Sequence, residues 1–354
     1  MQSLDEKTWD AIELDSMFTF ERGKEKNMAS LTQGHIPLVS ARKVNNGIKG
    51  FVDNPAKVIK GGNVISLNND GDGGAGLAYY QPVDFALDTH VTALHPQKVI
   101  SSDALLWMTA SISKQHAVFG HGRSISLPRA HRIQNMLPVT DSGEPDYEYM
   151  AEYARQKGNA MLAKYRAYVE ERIAELGEVA EIPALNEKEW RAFHLEEIGT
   201  VTSGRDIYAA ERVKGNTPYI TSGGTNNGVG YFIGNINDTL DSGYIALNRN
   251  GTVGKAFYHP SKSLMGNDCR KIHLKDADRN LFVGQFVSLC LSMQSECFSY
   301  SRKLGTARAK RMQVMLPVTD SGEPDYEYIE QYSKNMMLRK YQQYLTFAQQ
   351  RSDA

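Results

Sequence analysis

Two stretches concentrate the residues that could do chemistry. FGHGRSISLPRAHRIQ (Phe119 to Gln134) aligns with FSYSRKLGTARAKRMQ (Phe298 to Gln313). Arg123 meets Arg302, Arg129 meets Arg308, Arg132 meets Arg311, and neither stretch contains an acid. Cationic side chains at this density hold polyanions. Asn45-Asn46-Gly47, inside IPLVSARKVNNGIKGF (Ile36 to Phe51), matches Asn226-Asn227-Gly228 inside TPYITSGGTNNGVGYF (Thr217 to Phe232). Asn-Gly between β-branched and aromatic runs reads as strand, tight turn, strand. VISLNNDGDGGAGLAYYQP (Val64 to Pro82) aligns with YIALNRNGTVGKAFYHP (Tyr244 to Pro260), again strand, glycine-rich turn, strand.

Catalytic motifs are missing. There is no HExxH. The glycines of Asp70 to Gly76 resemble a phosphate cradle, but no Lys-Ser/Thr follows. Arg249 to Ala256 contains Gly-Lys, yet Ala256 stands where a phosphate loop needs Ser or Thr, and the glycine spacing is wrong. Both loops read better as turns. His121 and His131 lie close together, but Tyr300 and Lys310 occupy the matched positions, which speaks against a shared catalytic use.

The elements that position these stretches come from a duplication. MLPVTDSGEPDYEY, Met136 to Tyr149, recurs letter for letter from Met315 to Tyr328. A repeat of half the chain is a whole domain with its connector, used twice. Trp9 to Gly23 likewise aligns with Trp190 to Gly204. Each copy has a helix-like run, Ser102 to Val118 and Asn280 to Glu296, which Asp103 and Asp278 could cap. After each connector a long helix is expected, from about Asp146 to Leu176 and from about Asp325 to Gln350, the second lacking about one turn. Asp146 and Asp325 are placed to cap them. Leu162, Tyr165 and Val169 on the first, and Leu338, Tyr341 and Leu345 on the second, recur at coiled-coil spacing. Neither helix can bury its stripe alone, so the two are expected to pack as an antiparallel pair. The order is domain 1–135, connector and helix 136–186, domain 187–314, connector and helix 315–354. The identical connectors point to one shared docking partner, the divergent domains to different things read.

Composition narrows the class. The 354 residues are enough for two or three domains, and 41% hydrophobic with 23% charged residues marks an ordinary globular chain. A net charge of −1 excludes a uniformly basic nucleic-acid binder. The polar, acidic start MQSLDEKTWD does not read as a signal peptide. Three cysteines with no CxxC pair fit a reducing cytoplasm rather than a disulfide frame or zinc site. No apolar run approaches the roughly 20 residues of a membrane span.

The sequence resembles the DNA-specificity (S) subunits of restriction-modification systems. The marks are W-x4-L at Trp9 and Trp190, PYITSGGTNNGVGYF, NRNGTVGKAFY and GTARAKRMQVMLPV. The connector looks more like subunits of type IIB-like systems, which pair with a fused nuclease-methyltransferase, than like the best known type I subunits. The resemblance implies an α/β (α+β) fold with two target-recognition domains, twisted sheets and an antiparallel coiled coil of the two helices. It also implies double-stranded DNA as ligand, methyltransferase or fused nuclease-methyltransferase subunits as partners, and S-adenosylmethionine and Mg held by those partners. This chain would supply no catalytic residue and no metal site. Asn suits adenine, Arg and Lys suit guanine or phosphate. That chemistry selects Arg42, Lys43, Asn45, Asn46, Lys49, Asn68, Asn69 and Arg123 in the first domain. In the second it selects Thr221, Ser222, Asn226, Asn227, Arg249, Asn250, Lys255, Arg302, Lys303 and Arg308. The competing classes are a two-domain protein-interaction adaptor without sequence-specific DNA binding, and an enzyme whose site has no recognised motif.

Overall fold

The structure is a computed structural model and describes residues 2–25, 30–71, 74–120, 122–277, 279–298 and 303–352. The chain divides into two compact units, 1–165 and 166–354. In the first, β1 (Trp9–Glu13), β2 (Phe18–Arg22), β3 (Gln33–Val39), β4 (Ile48–Val52), β5 (Val58–Ile59), β6 (Val64–Asn68), β7 (Ala78–Gln81), β8 (Phe85–Leu87) and β9 (Val91–Pro96) precede helix α1 (Ser102–Ser113). Then come α2 (Leu127–His131), β10 (Gln134–Pro138) and α3 (Tyr147–Leu176), whose last turns fall in the second unit. One sheet has the order β2-β9-β6-β7 and another β4-β3-β8-β5, while β1 pairs with β10.

β6 explains the layering. All five of its residues are buried. Side chains alternate across a strand, and here the two faces feed two cores. Ile65 and Leu67 join Ala104, Leu105, Met108 and Ile112 of α1. Val64 joins Val39, Phe85, Leu87, Val91 and Ala93 of the sheets behind. The strand is therefore buried on both faces rather than alternating between core and solvent, and its two polar residues, Ser66 and Asn68, are buried with the rest.

The second unit repeats the plan with β11 (Trp190–His194), α4 (Leu195–Ile198), β12 (Gly199–Ser203), β13 (Lys214–Ile220), β14 (Val229–Ile233), β15 (Tyr244–Asn248), β16 (Ala256–His259), β17 (Leu264–Met265), β18 (Cys269–Leu274), α5 (Leu281–Met293), α6 (Thr306–Lys310), β19 (Gln313–Pro317) and α7 (Tyr326–Ser352). Its sheets have the orders β12-β18-β15-β16 and β14-β13-β17, and β11 pairs with β19. The expected caps Asp103 and Asp278 are corrected. Ser101 caps α1, accepting the Ala104 N–H, and Asn280 caps α5, accepting from Phe282 and Val283. Asp103 lies inside the first turn, and Asp278 lies outside the described residues.

The long helices have 30 and 27 residues, and the connector holds both by the same clasp. The Asp146 carboxylate accepts the Tyr149 N–H at 2.9 Å and the Lys7 ammonium at 2.7 Å, and Lys7 also lies over the Tyr149 ring. Asp325 accepts from Tyr328 at 3.0 Å and Lys188 at 2.7 Å, with Lys188 over the Tyr328 ring. Burial opposes the charge on Asp146, but Lys7 and the Tyr149 N–H outweigh it and lower its pKa. Each clasp ties the segment leading into the first strand of the domain to the helix that follows it. In the second unit Val169 and Leu338 are fully buried, and Tyr168 meets Tyr341 edge to face at 6.4 Å. Tyr341 and Leu345 are half-buried. The expected stripe is corrected at its start: Leu162 and Tyr165 are 57% and 46% exposed, so the buried part begins at Val169.

Among the buried titratable groups that differ between the units, one is a histidine. His259 on β16 is buried, and its Nε2 has no hydrogen-bond partner. The matched residue of the first unit is Gln81, which donates to the Asn46 carbonyl and the Ser66 hydroxyl. Burial pulls the His259 pKa from 6.5 to about 4. Asp241 is also lowered, to about 2: burial opposes this, but the Ser242 N–H, His273 and Lys271 prevail.

Two outcomes are expected. Replacing Asp325 by Ala removes a cap and strands the Lys188 ammonium, at a cost of about 2–3 kcal/mol, read as a lower urea midpoint of the full chain; an unchanged midpoint would show that the clasp contributes nothing. A depressed histidine pKa stabilises the fold above 6.5, and that stability is lost as pH falls from 6.5 towards about 4, up to about 3 kcal/mol. Urea midpoints should fall across that window, and His259→Gln should flatten the fall. The Asp241 contribution is lost lower, between 3.8 and about 2, so the two can be told apart.

Candidate nucleic-acid interface

In each unit four segments meet at the end of the central strand: the β3–β4 or β13–β14 connection, the residues after β6 or β15, the glycine-rich turn, and the basic segment. The Asn-Asn-Gly triplets carry the first of these through a left-handed turn, with φ of 55°, 52° and 75° at 45–47 and 51°, 51° and 71° at 226–228. Asn tolerates this region best among residues with a Cβ, and Gly needs no tolerance. The turn closes an eight-residue connection, longer than the tight hairpin expected from Asn-Gly. It leaves Asn45, Asn46, Asn226 and Asn227 exposed.

A buried asparagine locks each corner. Asn68 donates to the Arg42 carbonyl at 3.0 Å and the Gly74 carbonyl at 3.3 Å. Asn248 donates to the Gly223 carbonyl at 3.0 Å and Thr252 Oγ1 at 2.9 Å, and that hydroxyl donates on to Ser222 O. The basic segments dock on the next residue. The Ile125 N–H binds the Asn69 carbonyl at 2.6 Å, and the Leu304 N–H binds the Arg249 carbonyl at 3.2 Å. Backbone thus builds the same corner twice.

These contacts sort the expected contact residues. Asn68 and Asn69 are corrected: at 0% and 1% exposure they cannot reach a base. Asn68 spends its amide on two loops, and Asn69 Oδ1 accepts from Thr92. Lys43 and Arg123 are exposed at the first corner, Arg42 is half-buried and donates to Ile48 O, and Lys49 is exposed on β4. At the second, Thr221, Ser222, Arg249, Asn250, Lys255 and Lys303 are half-buried and Arg308 is exposed. Thr221 donates to Gly228 O, which ties off its own connection. Arg308 donates to Lys303 O at 2.6 Å and thereby stiffens the basic segment. Arg302 lies outside the described residues. In the first unit Arg123, Arg129 and Arg132 line one groove of about 680 Å³ with Gln134 and Asn135.

Sequence reasoning missed Asn248 and Arg270. Asn248 had a signal, its identity with Asn68 at the matched position. Arg270 had none, because it lies on β18 and reaches the corner only through strand pairing opposite Leu247. It is 5% exposed and donates to Asn267 O at 2.9 Å and Cys269 O at 2.7 Å. Among the described residues no group of acids, histidines and cysteines could hold a metal ion, and no helix is long and apolar enough to cross a membrane.

The comparisons with known proteins agree with the duplication. The family model of the type I restriction modification DNA specificity domain matches residues 6–160 and again 187–344. The type II restriction enzyme BgcI specificity subunit S.BcgI of Heyndrickxia coagulans is 26% identical over 329 residues, covering 91% of this chain and 93% of its own. The S subunit of a type I restriction-modification system from M. genitalium shares the fold, with a TM-score of 0.51 at 15% identity over 99% of this chain and 94% of that one. With a match in each unit that spans most of the chain, the protein belongs to the type I restriction modification DNA specificity family and is a specificity subunit of a restriction-modification system.

Proposed function

We propose that this specificity subunit reads a split duplex target, one half with each corner, and docks the subunits that do the chemistry. The observation that carries the reading is the exchange of side chains on a constant frame. Arg42, Lys43 and Lys49 stand where the second unit has Gly223, Gly224 and Gly230, and Asp70 with His90 where it has Asn250 with Asp268, all at positions that keep access to solvent. Hydrogen-bonding groups on base edges are told apart by this kind of exchange. Lys43, Asn45, Asn46, Lys49, Arg42 and Arg123 serve one half; Asn226, Asn227, Asn250, Lys255, Lys303 and Arg308 serve the other, with Thr221 and Ser222 shaping their loop. Arg129 and Arg308 take phosphates.

The partners are methyltransferase or fused nuclease-methyltransferase subunits. They carry S-adenosylmethionine and Mg and flip the adenine they methylate. The connectors support a shared docking face. The clasp and the domain cores account for their buried residues, but Met136 and Met315, Asp141 and Asp320, and Glu144 and Glu323 are identical and exposed. The two long helices act as the spacer between half-sites.

Binding selection from a library with randomised halves and variable gap, using the chain assembled with its partners, tests the reading. Two different half-sites about one helical turn apart, roughly 34–36 Å, are expected; one continuous site would sink it. Alone, the chain should neither methylate nor cleave DNA. Four residues inserted between Lys157 and Met161 add about 6 Å of helix, so the gap should grow by about two base pairs at roughly 3.4 Å each while the half-site letters stay. Changed letters with an unchanged gap would remove the helices from the spacing role.

A further inference from the structure

The second corner contains a charge imbalance that the first does not. Arg249 and Arg270 both aim an Nη1–H at the Asn267 carbonyl, at 3.4 and 2.9 Å, so their guanidinium groups lie side by side. Asp268 faces them, 3.8 Å from Arg249, and its Oδ1 also takes the Asn250 amide at 3.3 Å. Arg270 finds only backbone carbonyls, and its buried Nε–H has no partner. The Arg249 side chain keeps 30% of its surface open to solvent. The Arg249 carbonyl anchors the basic segment at Leu304, which brings Lys303 to the same edge.

Two partly desolvated cations beside one carboxylate leave one positive charge uncompensated. Such a charge is costly unless something completes it. Burial, and then the neighbouring Arg249, hold the Arg270 pKa below its ordinary value. The first corner is arranged otherwise. Thr92 donates to Asn69 at 2.8 Å, a neutral buried bond, and Asp70 pairs with His90 at 2.8 Å. An anion brought there meets a carboxylate.

We propose that the Arg249–Arg270 pair is a phosphate seat for the DNA backbone, present in the second unit and absent from the first, so that the two half-sites are gripped unequally. The proposal rests on the specificity reading above. A backbone phosphate fits better than a base edge because the partly exposed Arg249 is backed by a second cation rather than by a hydrogen-bonded planar fork. Phosphate contacts position the duplex and carry no sequence information.

The first unit supplies the test substitutions, since its Asn69 and Thr92 already fit the same frame. The full chain is titrated with inorganic phosphate, following the arginine Nε–H signals by NMR. Saturable shifts of Arg249 and Arg270, lost in the double variant Arg249→Asn, Arg270→Thr, are expected; no shift in the unsubstituted chain overturns the seat. In the assembled complex the double variant should bind its selected DNA about tenfold more weakly, with the salt slope lower by about one to two. Footprint protection should loosen at one half-site, with the preferred letters unchanged. Arg249→Asn alone should show a smaller loss of the same kind and guards against misfolding of the double variant. A changed letter with an unchanged salt slope would make Arg249 a base reader and overturn the phosphate seat. A complex that selects no sequence removes the specificity reading itself; one that selects normally and ignores the double variant removes the seat alone.

Discussion

The clasp between lysine, aspartate and tyrosine is the constraint on which the rest depends. Asp146 and Asp325 each satisfy an orphan N–H at the start of a long helix and bind an ammonium two residues ahead of the strand that opens the domain. Both partners are mostly screened from solvent, so the pair is less weakened by water than a surface ion pair. The strand pairs beside it, Trp9 opposite Pro138 and Trp190 opposite Pro317, fix where the helix leaves the sheet. The turn between them needs a left-handed residue, and Gly143 and Gly322 supply it with φ of 82° and 81°. A connector under this many geometric demands has little freedom to drift at its clasp and turn residues, which is a physical reason for the identity of Asp146, Tyr149 and Gly143 with Asp325, Tyr328 and Gly322.

The corner proposed to meet DNA has the opposite economy. Its frame is backbone hydrogen bonding plus one buried asparagine, and neither depends on which polar groups stand at 69, 70, 90 and 92 or at 249, 250, 268 and 270. The stability of the frame is thereby separated from the choice of polar groups on it. A neutral Asn–Thr bond in one unit and a pair of guanidinium groups in the other sit on the same strands. The buried faces behind them still divide into a helix-side and a sheet-side core in both units.

The sequence by itself determined the duplication, the α/β class, both long helices, their caps at Asp146 and Asp325, and the family. Each of these rests on local pattern: identical letters, strand periodicity, a cap residue three positions before a tyrosine. It also located the loops that form the corners, because Asn-Asn-Gly and the basic segments stand out by type. The tertiary structure alone decided which residues of those loops face outward. Asn68 and Asn69 have the right chemistry for a base and are buried, because the strand end on which they sit is covered from both sides. Leu162 and Tyr165 have coiled-coil spacing and are exposed, whereas Val169, on the same stripe, is buried. Arg270 has no neighbour in sequence to mark it and arrives beside Arg249 only because β18 pairs with β15. Side-chain type is a property of one residue and can be read from the chain, but exposure and proximity are properties of pairs brought together by strand register, and register is set by the whole sheet.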